Sequence, residues 1–441
     1  MMLETRHYQG NPQKNSPALG ATLAFLGING LLALLHGSQG CSTFIRLQLS
    51  RHFREPIPLN STAIMEDSVI FGGWEQLKQG IAKVADKYRP QIVGVMSTGL
   101  TETFGDDMPG ALSSLRSERT DLQELPVVLT GTPDYIGSMQ EGYQRAVLAI
   151  VDTIFPLLPD PVAIPPERKT GDGNEGQPEK PVAVLFPGCH LTPADIAELK
   201  EIVTLFGLHP VVLPDLSSSL DGHLEAHPAP VVQGGTTVTD MSLLPQAAAA
   251  FSFGLSMRKV GDHFQKICSV PHYHVPSISG LTATDQFVLT LSKLTGQPIP
   301  PKLMRQRSQL LDSMVDYHDQ LAGLTVAAAL ESDLLYSLVT TLQETGASIS
   351  LALAATPAAT GLFPAAIPVR TGDLEELEEC AGPARLIIAN SNGRQAAAAL
   401  KLPHLRAGLP VFDQAGYPQK VWVGYQGTQQ FLFDTLNTLA G

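Results

Sequence analysis

Cysteine is scarce in this chain. There are four in 441 residues, Cys41, Cys189, Cys268 and Cys380, and no two of them form a C-x-x-C pair or a Cys/His zinc spacing. That usage argues against a disulfide scaffold or a zinc module and fits a reducing, cytoplasmic compartment. Basic charge is short as well. Lys and Arg number 29 against 42 Asp and Glu, a net charge of −13, and no Lys/Arg block offsets it. A nucleic-acid partner is therefore not expected. The cluster Lys302, Arg305, Arg307 reads as one helix face. Also missing are a G-x-G-x-x-G after any apolar run, a Walker motif, H-E-x-x-H and an ordered Ser/His/Asp set. No dinucleotide and no self-contained catalytic apparatus are indicated. The apolar stretch Leu19 to Leu35 is interrupted by Gly20, Gly27, Asn29 and Gly30 and is short for a span of about 20 residues. The segment after it, His36-Gly37-Ser38, is a poor cleavage site, so neither membrane insertion nor export is expected.

What is present is apolar material in short runs. Hydrophobic residues make up 44% and charged residues 16%, the balance of a well-buried globular protein. The chain is too long for a single core. Continuous apolar runs at Leu31–Leu35, Ile92–Met96, Val127–Leu129, Val182–Phe186, Val211–Leu213, Leu324–Leu330, Ile349–Ala354 and Arg385–Ala389 suit strands buried on both faces. Between them lie segments of helical spacing, Pro17–Leu26, Ser42–Phe53, Trp74–Tyr88, Gly142–Phe155, Thr192–Phe206, Gln246–Phe253, Thr284–Leu294, Ser332–Glu344 and Gly424–Leu439. Strand–helix alternation predicts an α/β fold with mostly parallel sheets. A Pro-, Gly- and charge-rich stretch marks 161–180 as a linker, and Pro298 to Pro301 marks a second boundary. The expected organisation is a first unit over 1–160, a second over 181–297 and a third over 298–441.

The stretch with most chemical content is His36-Gly37-Ser38-Gln39-Gly40-Cys41. An apolar run stops at a Gly-bracketed turn that presents a thiol. Thiolates hold iron–sulfur clusters, usually four per cluster, so one cysteine could serve only with ligands from another chain. A lone cysteine beside apolar residues is also commonly a small buried hydrophobe, and residue types alone leave both readings open. Cys189 precedes a helix start, where a thiol pKa can be lowered, but a loop thiol without a role is the plainer reading. Cys268 and Cys380 read as packing residues. His272 and His274, two apart, would share a strand face that a metal could use, although a structural role is favoured. Asp106-Asp107 and the acidic run Glu375–Glu379 read as helix-start and solvated charges.

Three blocks carry a family likeness: His36–Cys41, Arg51-His52-Phe53-Arg54-Glu55-Pro56 and Glu66-Asp67-Ser68-Val69-Ile70-Phe71-Gly72-Gly73. It continues through Ser97-Thr98-Gly99-Leu100, Gly105-Asp106-Asp107, Gly280–Asp285 and the segment around Arg305-Gln306-Arg307. Together they resemble the β-subunit family of nitrogenase component 1. The resemblance implies three Rossmann-like α/β domains. The family's catalytic branch has three cluster cysteines, whose places fall here at Ser16, Cys41 and Gly99. With one thiol of the three, the chain resembles the cofactor-assembly branch instead. That implies a scaffold subunit rather than a bond-making enzyme, with oxidoreductase-like ancestry. Cys41 would be one ligand of a 4Fe–4S cluster whose other three ligands come from a NifE-like partner in an α2β2 heterotetramer. The resemblance further implies an iron–molybdenum cofactor precursor held mainly by that partner, NifB as its donor, and docking of the nitrogenase iron protein. The alternatives within the likeness are a catalytic nitrogenase β-subunit or a dark-operative reductase subunit.

Overall fold

A computed structural model describes residues 14–65, 72–158, 180–224 and 229–440. The linker expected at 161–180, apart from Lys180, and the Glu66–Phe71 part of the third family block lie outside the described residues.

Among the described residues thirteen strands form three sheets, and every pairing within them is parallel. In the first sheet β1 (Leu31–Leu35), β2 (Leu59–Ser61), β3 (Ile92–Met96) and β4 (Val127–Thr130) lie in the order β2-β1-β3-β4. In the second, β5 (Val182–Phe186), β6 (His209–Val212), β7 (Ala249–Phe253) and β8 (His272–Val275) repeat that plan as β6-β5-β7-β8. The third contains β9 (Thr325–Leu330), β10 (Ser348–Ala354), β11 (Val369–Thr371), β12 (Leu386–Ala389) and β13 (His404–Arg406), ordered β11-β10-β9-β12-β13. The α/β architecture with three parallel sheets is the one the apolar runs predicted. β1 and β3 are buried at every position, as strands covered on both faces require.

Each sheet starts at an inner strand, winds to one side, then crosses to the other. The crossover points lie between β1 and β3, β5 and β7, and β9 and β12. At such a point the loops leaving the two carboxyl ends diverge and open a crevice, which is where ligands sit in open α/β sheets. The site is therefore to be sought in loops 36–41 and 97–99, and in their counterparts in the other two units.

Among the described residues the helices of the first sheet's unit are α1 (Pro17–Leu26), α2 (Gln39–Phe53), α3 (Trp74–Tyr88), α4 (Gly99–Phe104), α5 (Met108–Glu118) and α6 (Met139–Ile154). Ser16 caps α1, its Oγ accepting from Leu19 N–H at 3.2 Å. Glycines let α1 and α6 meet backbone to backbone: a Cβ on Gly20 would stand 1.8 Å from Met139 O, and one on Gly142 2.0 Å from Pro17 O. One continuous apolar core joins all three units, running from Leu23 and Tyr143 through Phe186 and Phe251 to Leu335 and Phe431. The Asp285 and Arg307 of the family blocks form a two-pronged ion pair, Nε to Oδ1 and Nη2 to Oδ2 both 2.8 Å, capped by Tyr425 O–H at 2.6 Å. They hold three helices together and carry no chemistry beyond that. Among the described residues no helix is long and apolar enough to cross a membrane.

The structure corrects two expectations here. Gln246–Phe253 is not a helix. A short turn, Leu244–Gln246, leads into β7, which is buried at all five positions between β5 and β8. The alanine run favours a helix locally, but burial at a central sheet position overrides that preference. Cys380 is not buried; it ends the helix Leu374–Cys380 with its side chain exposed.

Candidate functional site

The crevice between β1 and β3 is built around a buried imidazole. His36 follows β1 directly and is fully enclosed. Its Nε2 lies 3.2 Å from Asp106 Oδ2 and its Nδ1 3.2 Å from Thr62 Oγ1. Asp106 can only accept, so Nε2 carries the hydrogen and Nδ1 accepts from the Thr62 hydroxyl. Thr62 Oγ1 in turn accepts from Gly37 N–H at 3.2 Å. Burial pulls the His36 pKa down, with the Asp106 charge opposing it, so the ring is neutral in the neutral range. Asp106 also takes Gly73 N–H on its other oxygen at 2.8 Å. It is a buried positioning residue, not the solvated charge its sequence suggested; Asp107 does cap a helix, accepting from Gly110 N–H at 3.0 Å.

The loop after β3 is tied to the same point. Thr98 and Thr101 hydroxyls both donate to the His36 carbonyl at 3.3 Å. Gly37 passes so close to Thr98 that a Cβ there would stand 2.5 Å from the threonine methyl. The two loops at the switch point thus form one packed unit.

Cys41 stands on the first turn of α2, which starts at Gln39, three residues earlier than its apolar spacing suggested. Ser38 caps that helix. Its Oγ accepts from Cys41 N–H at 3.5 Å and its O–H points to Cys41 Sγ at 3.4 Å. The thiol is exposed. The unpaired N–H groups of a helix start favour an anionic ligand beside them. The elements leaving the same carboxyl edge of the first sheet carry large apolar side chains in water: Phe44 is 61% exposed and Leu47 50% on α2, Leu100 43% on α4, and Tyr135 62% and Ile136 51% after β4. Exposed apolar side chains gathered along one rim of a sheet mark an interaction surface.

The other two positions of the family pattern are also here. Ser16 sits at the start of α1, its hydroxyl committed to capping. Gly99 opens α4, where a Cβ would meet nothing closer than Asp134 N at 3.5 Å. Among the described residues no group of three or more His, Cys, Asp and Glu is placed to hold a metal ion. The donor set fits a single thiolate ligand offered outward. It does not fit a cluster held within this chain.

The remaining candidates are structural. Cys189 is buried, and desolvation, with the Asp333 and Glu331 charges, pushes its thiol well above the usual range, which overrides the nearby helix start. Cys268 donates to Phe264 O at 2.9 Å and packs on the core. His272 Nε2 and His274 Nδ1 converge on the Ser252 hydroxyl at 2.8 and 3.0 Å, and His272 Nδ1 meets Asp262 at 3.0 Å. Both nitrogens of His272 and Nδ1 of His274 are thus engaged within the fold. Glu375 and Glu376 open a helix capped by Asp373, and Lys302 pairs with Glu201. Sequence reasoning missed the His36–Thr62–Asp106 set, because its members are 26 and 70 residues apart. It also missed a second polar centre, Ser138, Glu141 and Glu331, having begun that helix at Gly142, past the Ser138-x-x-Glu141 pattern that opens it.

Residues 16–440 match the family described as nitrogenase component 1 type oxidoreductase. The chain is similar to nitrogenase iron-molybdenum cofactor biosynthesis protein NifN of Rippkaea orientalis, 42% identical over 97% of this chain and 93% of that protein. It is likewise similar to NifN of Rhizobium meliloti, 38% identical over 99% and 96%, and to NifN of Klebsiella pneumoniae, 33% identical over 97% and 90%. Among solved structures, a chain of "Nitrogenase Cp1 at pH 6.5" superposes with a TM-score of 0.87 at 28% identity, covering all of this chain and 95% of that one.

Proposed function

The chain belongs to the nitrogenase component 1 type oxidoreductase family, and from that premise we propose that it is the β-type subunit of a scaffold on which the iron–molybdenum cofactor of nitrogenase is matured. In this reading Cys41 contributes one thiolate to a 4Fe–4S cluster at the interface with a NifE-like partner, which contributes the other three. The cofactor precursor, supplied by NifB, is held mainly by the partner, and the nitrogenase iron protein docks on the assembled α2β2 complex. The observation that carries the reading is the exposed Cys41 thiol at the β1/β3 switch point, on a sheet edge whose elements also expose the apolar side chains Phe44, Leu47, Leu100, Tyr135 and Ile136. A partner laid on that rim removes apolar surface from water and closes the coordination sphere in one step.

The cluster when bound supplies electron transfer. This chain's own residues orient the thiol: His36, Thr62, Thr98 and Asp106 fix the loop, and Ser38 fixes the first turn of α2. The reading as a catalytic β-subunit is disfavoured by Ser16 and Gly99, which lack the thiols that a larger shared cluster needs.

The test is anaerobic co-purification with the NifE-like partner, as wild type and as Cys41→Ala, with iron counted per pair and the reduced complex examined by EPR. The expected result is an intact complex that has lost about four irons and the associated signal. Unchanged iron and spectra in Cys41→Ala would overturn the assignment.

A further inference from the structure

Two carboxylates crowd one hydroxyl where the three units meet. Ser138 Oγ lies 2.6 Å from Glu331 Oε2 and 2.7 Å from Glu141 Oε2. The Ser138 backbone N–H already donates to that same Glu141 oxygen at 2.7 Å. A hydroxyl has one hydrogen to give. If it goes to Glu141, the short contact with Glu331 is a hydrogen bond only when Glu331 brings a proton of its own. With both carboxylates ionised, two anionic oxygens would face a single hydrogen at close range.

Glu331 is the group placed to keep that proton. It is buried just past the end of β9, and desolvation, followed by the charges of Glu141 and Asp333, pushes its pKa up to about 8 against the opposing hydrogen bonds of the Ser138 side chain and the Asn15 backbone N–H. Its other oxygen, Oε1, has no hydrogen-bond partner. Glu331 lines a small space of about 30 Å³ shared with His52, Cys189, His190, Asn390 and Tyr417, room for one or two water molecules. The titratable groups facing it bring no positive charge in the neutral range. Burial holds His52 and His190 near about 4, and it pushes Cys189 and Tyr417 upward, so they stay protonated and neutral.

The position spans the fold. Ser138 and Glu141 begin α6 of the first unit, and His190 follows β5 of the second. Asp333, just past Glu331, accepts from Ser256 N–H at 3.0 Å and Ser256 O–H at 2.5 Å, while its own N–H donates to Gln140 Oε1 at 3.2 Å.

We propose that Glu331 is a proton-binding site at the junction of the three units, donating its proton to Ser138, which donates onward to Glu141, so that the clamp between α6 and the end of β9 is closed only while that proton is bound. It is independent of the cluster at Cys41. Nothing is oxidised or reduced; a proton is taken up or released at a carboxyl oxygen. Its release leaves two like charges on either side of one hydroxyl, and the clamp loosens.

The sign follows from linkage. The ordinary carboxyl value is 4.5 and the folded value is about 8, so within that window the folded chain holds the extra proton. The clamp's contribution is complete below the window and is lost as pH rises through it, by about tenfold in the folding equilibrium per pH unit.

The experiment is urea unfolding of the full chain between about pH 5 and pH 9, as wild type and as Glu331→Gln, which keeps an N–H for Ser138 but cannot ionise. The expected result is a gap between the two curves that widens with pH and stops growing above about pH 8. Curves that stay parallel overturn the proposal. A second readout on the wild type is the protonated-carboxyl stretch in infrared difference spectra, which stands even if Glu331→Gln fails to fold. A band that disappears with a midpoint near pH 8 supports the site, and no carboxyl titrating above pH 7 overturns it.

Discussion

His36 and Asp106 stand 3.2 Å apart, imidazole Nε2 to carboxylate Oδ2, with the ring wholly enclosed and the carboxylate nearly so. One ends β1 and the other precedes α5, and Asp106 reaches Gly73 with its second oxygen. A single carboxylate thus fixes two chain segments around the loop that presents Cys41. Replacing Asp106 with Ala strands a buried imidazole N–H and a backbone N–H. The expected loss is about 1–3 kcal/mol for each group left unpaired, read as a lower urea midpoint. Asp106→Asn, which keeps an acceptor for one of them, loses less. If both variants match wild type, the pair does not hold the loop.

Two glycines in the same loop make opposite predictions. A methyl on Gly37 would meet Thr98 Cγ2 at 2.5 Å, whereas one on Gly40 would find nothing nearer than Ser38 Oγ at 3.9 Å. Gly37→Ala forces the β1 and β3 loops apart, at a cost of about 1–3 kcal/mol. Gly40→Ala, inside α2, raises stability by roughly 0.5–1 kcal/mol. Thermal midpoints of the two variants, moving in opposite directions, check the packing.

Gly99→Cys places a second thiol on this edge without disturbing it, because the site has van der Waals room for a side chain and its φ is ordinary. The variant folds with stability within about 0.5 kcal/mol of wild type. A native-state thiol titration gains one fast-reacting group beside Cys41 and Cys380, while buried Cys189 reacts only on unfolding. A misfolded variant, or fast labelling of Cys189, contradicts this arrangement.

Acid acts on the fold with the opposite sign to the Glu331 effect. Burial holds His52 near about 4 against an ordinary 6.5, its Nδ1 accepting from Val411 N–H at 2.9 Å. Below 6.5 the unfolded chain takes up the proton first, so stability present at neutral pH is lost as pH falls toward 4. The loss is on the order of 3 kcal/mol from this residue. Asp195 and Asp333, both pushed up to about 6 by burial, pull the other way over part of that range. Unfolding of His52→Gln between neutral and acid pH is therefore expected to show a shallower fall than wild type.

The central strands and long helices were legible because their apolar runs are continuous and their helix starts carry caps; Thr192 and Asp195, at the start of one predicted helix, cap each other in the structure. The edge strands β2, β11 and β13 have three residues each, too few to show a period. β7 was misread because alanine reports helix preference and not sheet burial. Cys41 was legible as a thiol at a Gly-rich turn, with its exposure left open by the residue types. The His36–Asp106 pair that holds its loop was not legible, nor was the Ser138–Glu331 contact elsewhere, since their members are 70 and 193 residues apart. Pairings at such separations leave no periodic trace in the sequence.

The helix starts at Ser16 and Gly99 keep the backbone that a thiol at either place would need: serine differs from cysteine by one atom, and glycine here has an open side-chain position. Glycine and serine codons can each reach a cysteine codon by a single base change. The distance between a thiol-poor and a thiol-rich version of this edge is therefore a matter of point mutations on an unaltered frame.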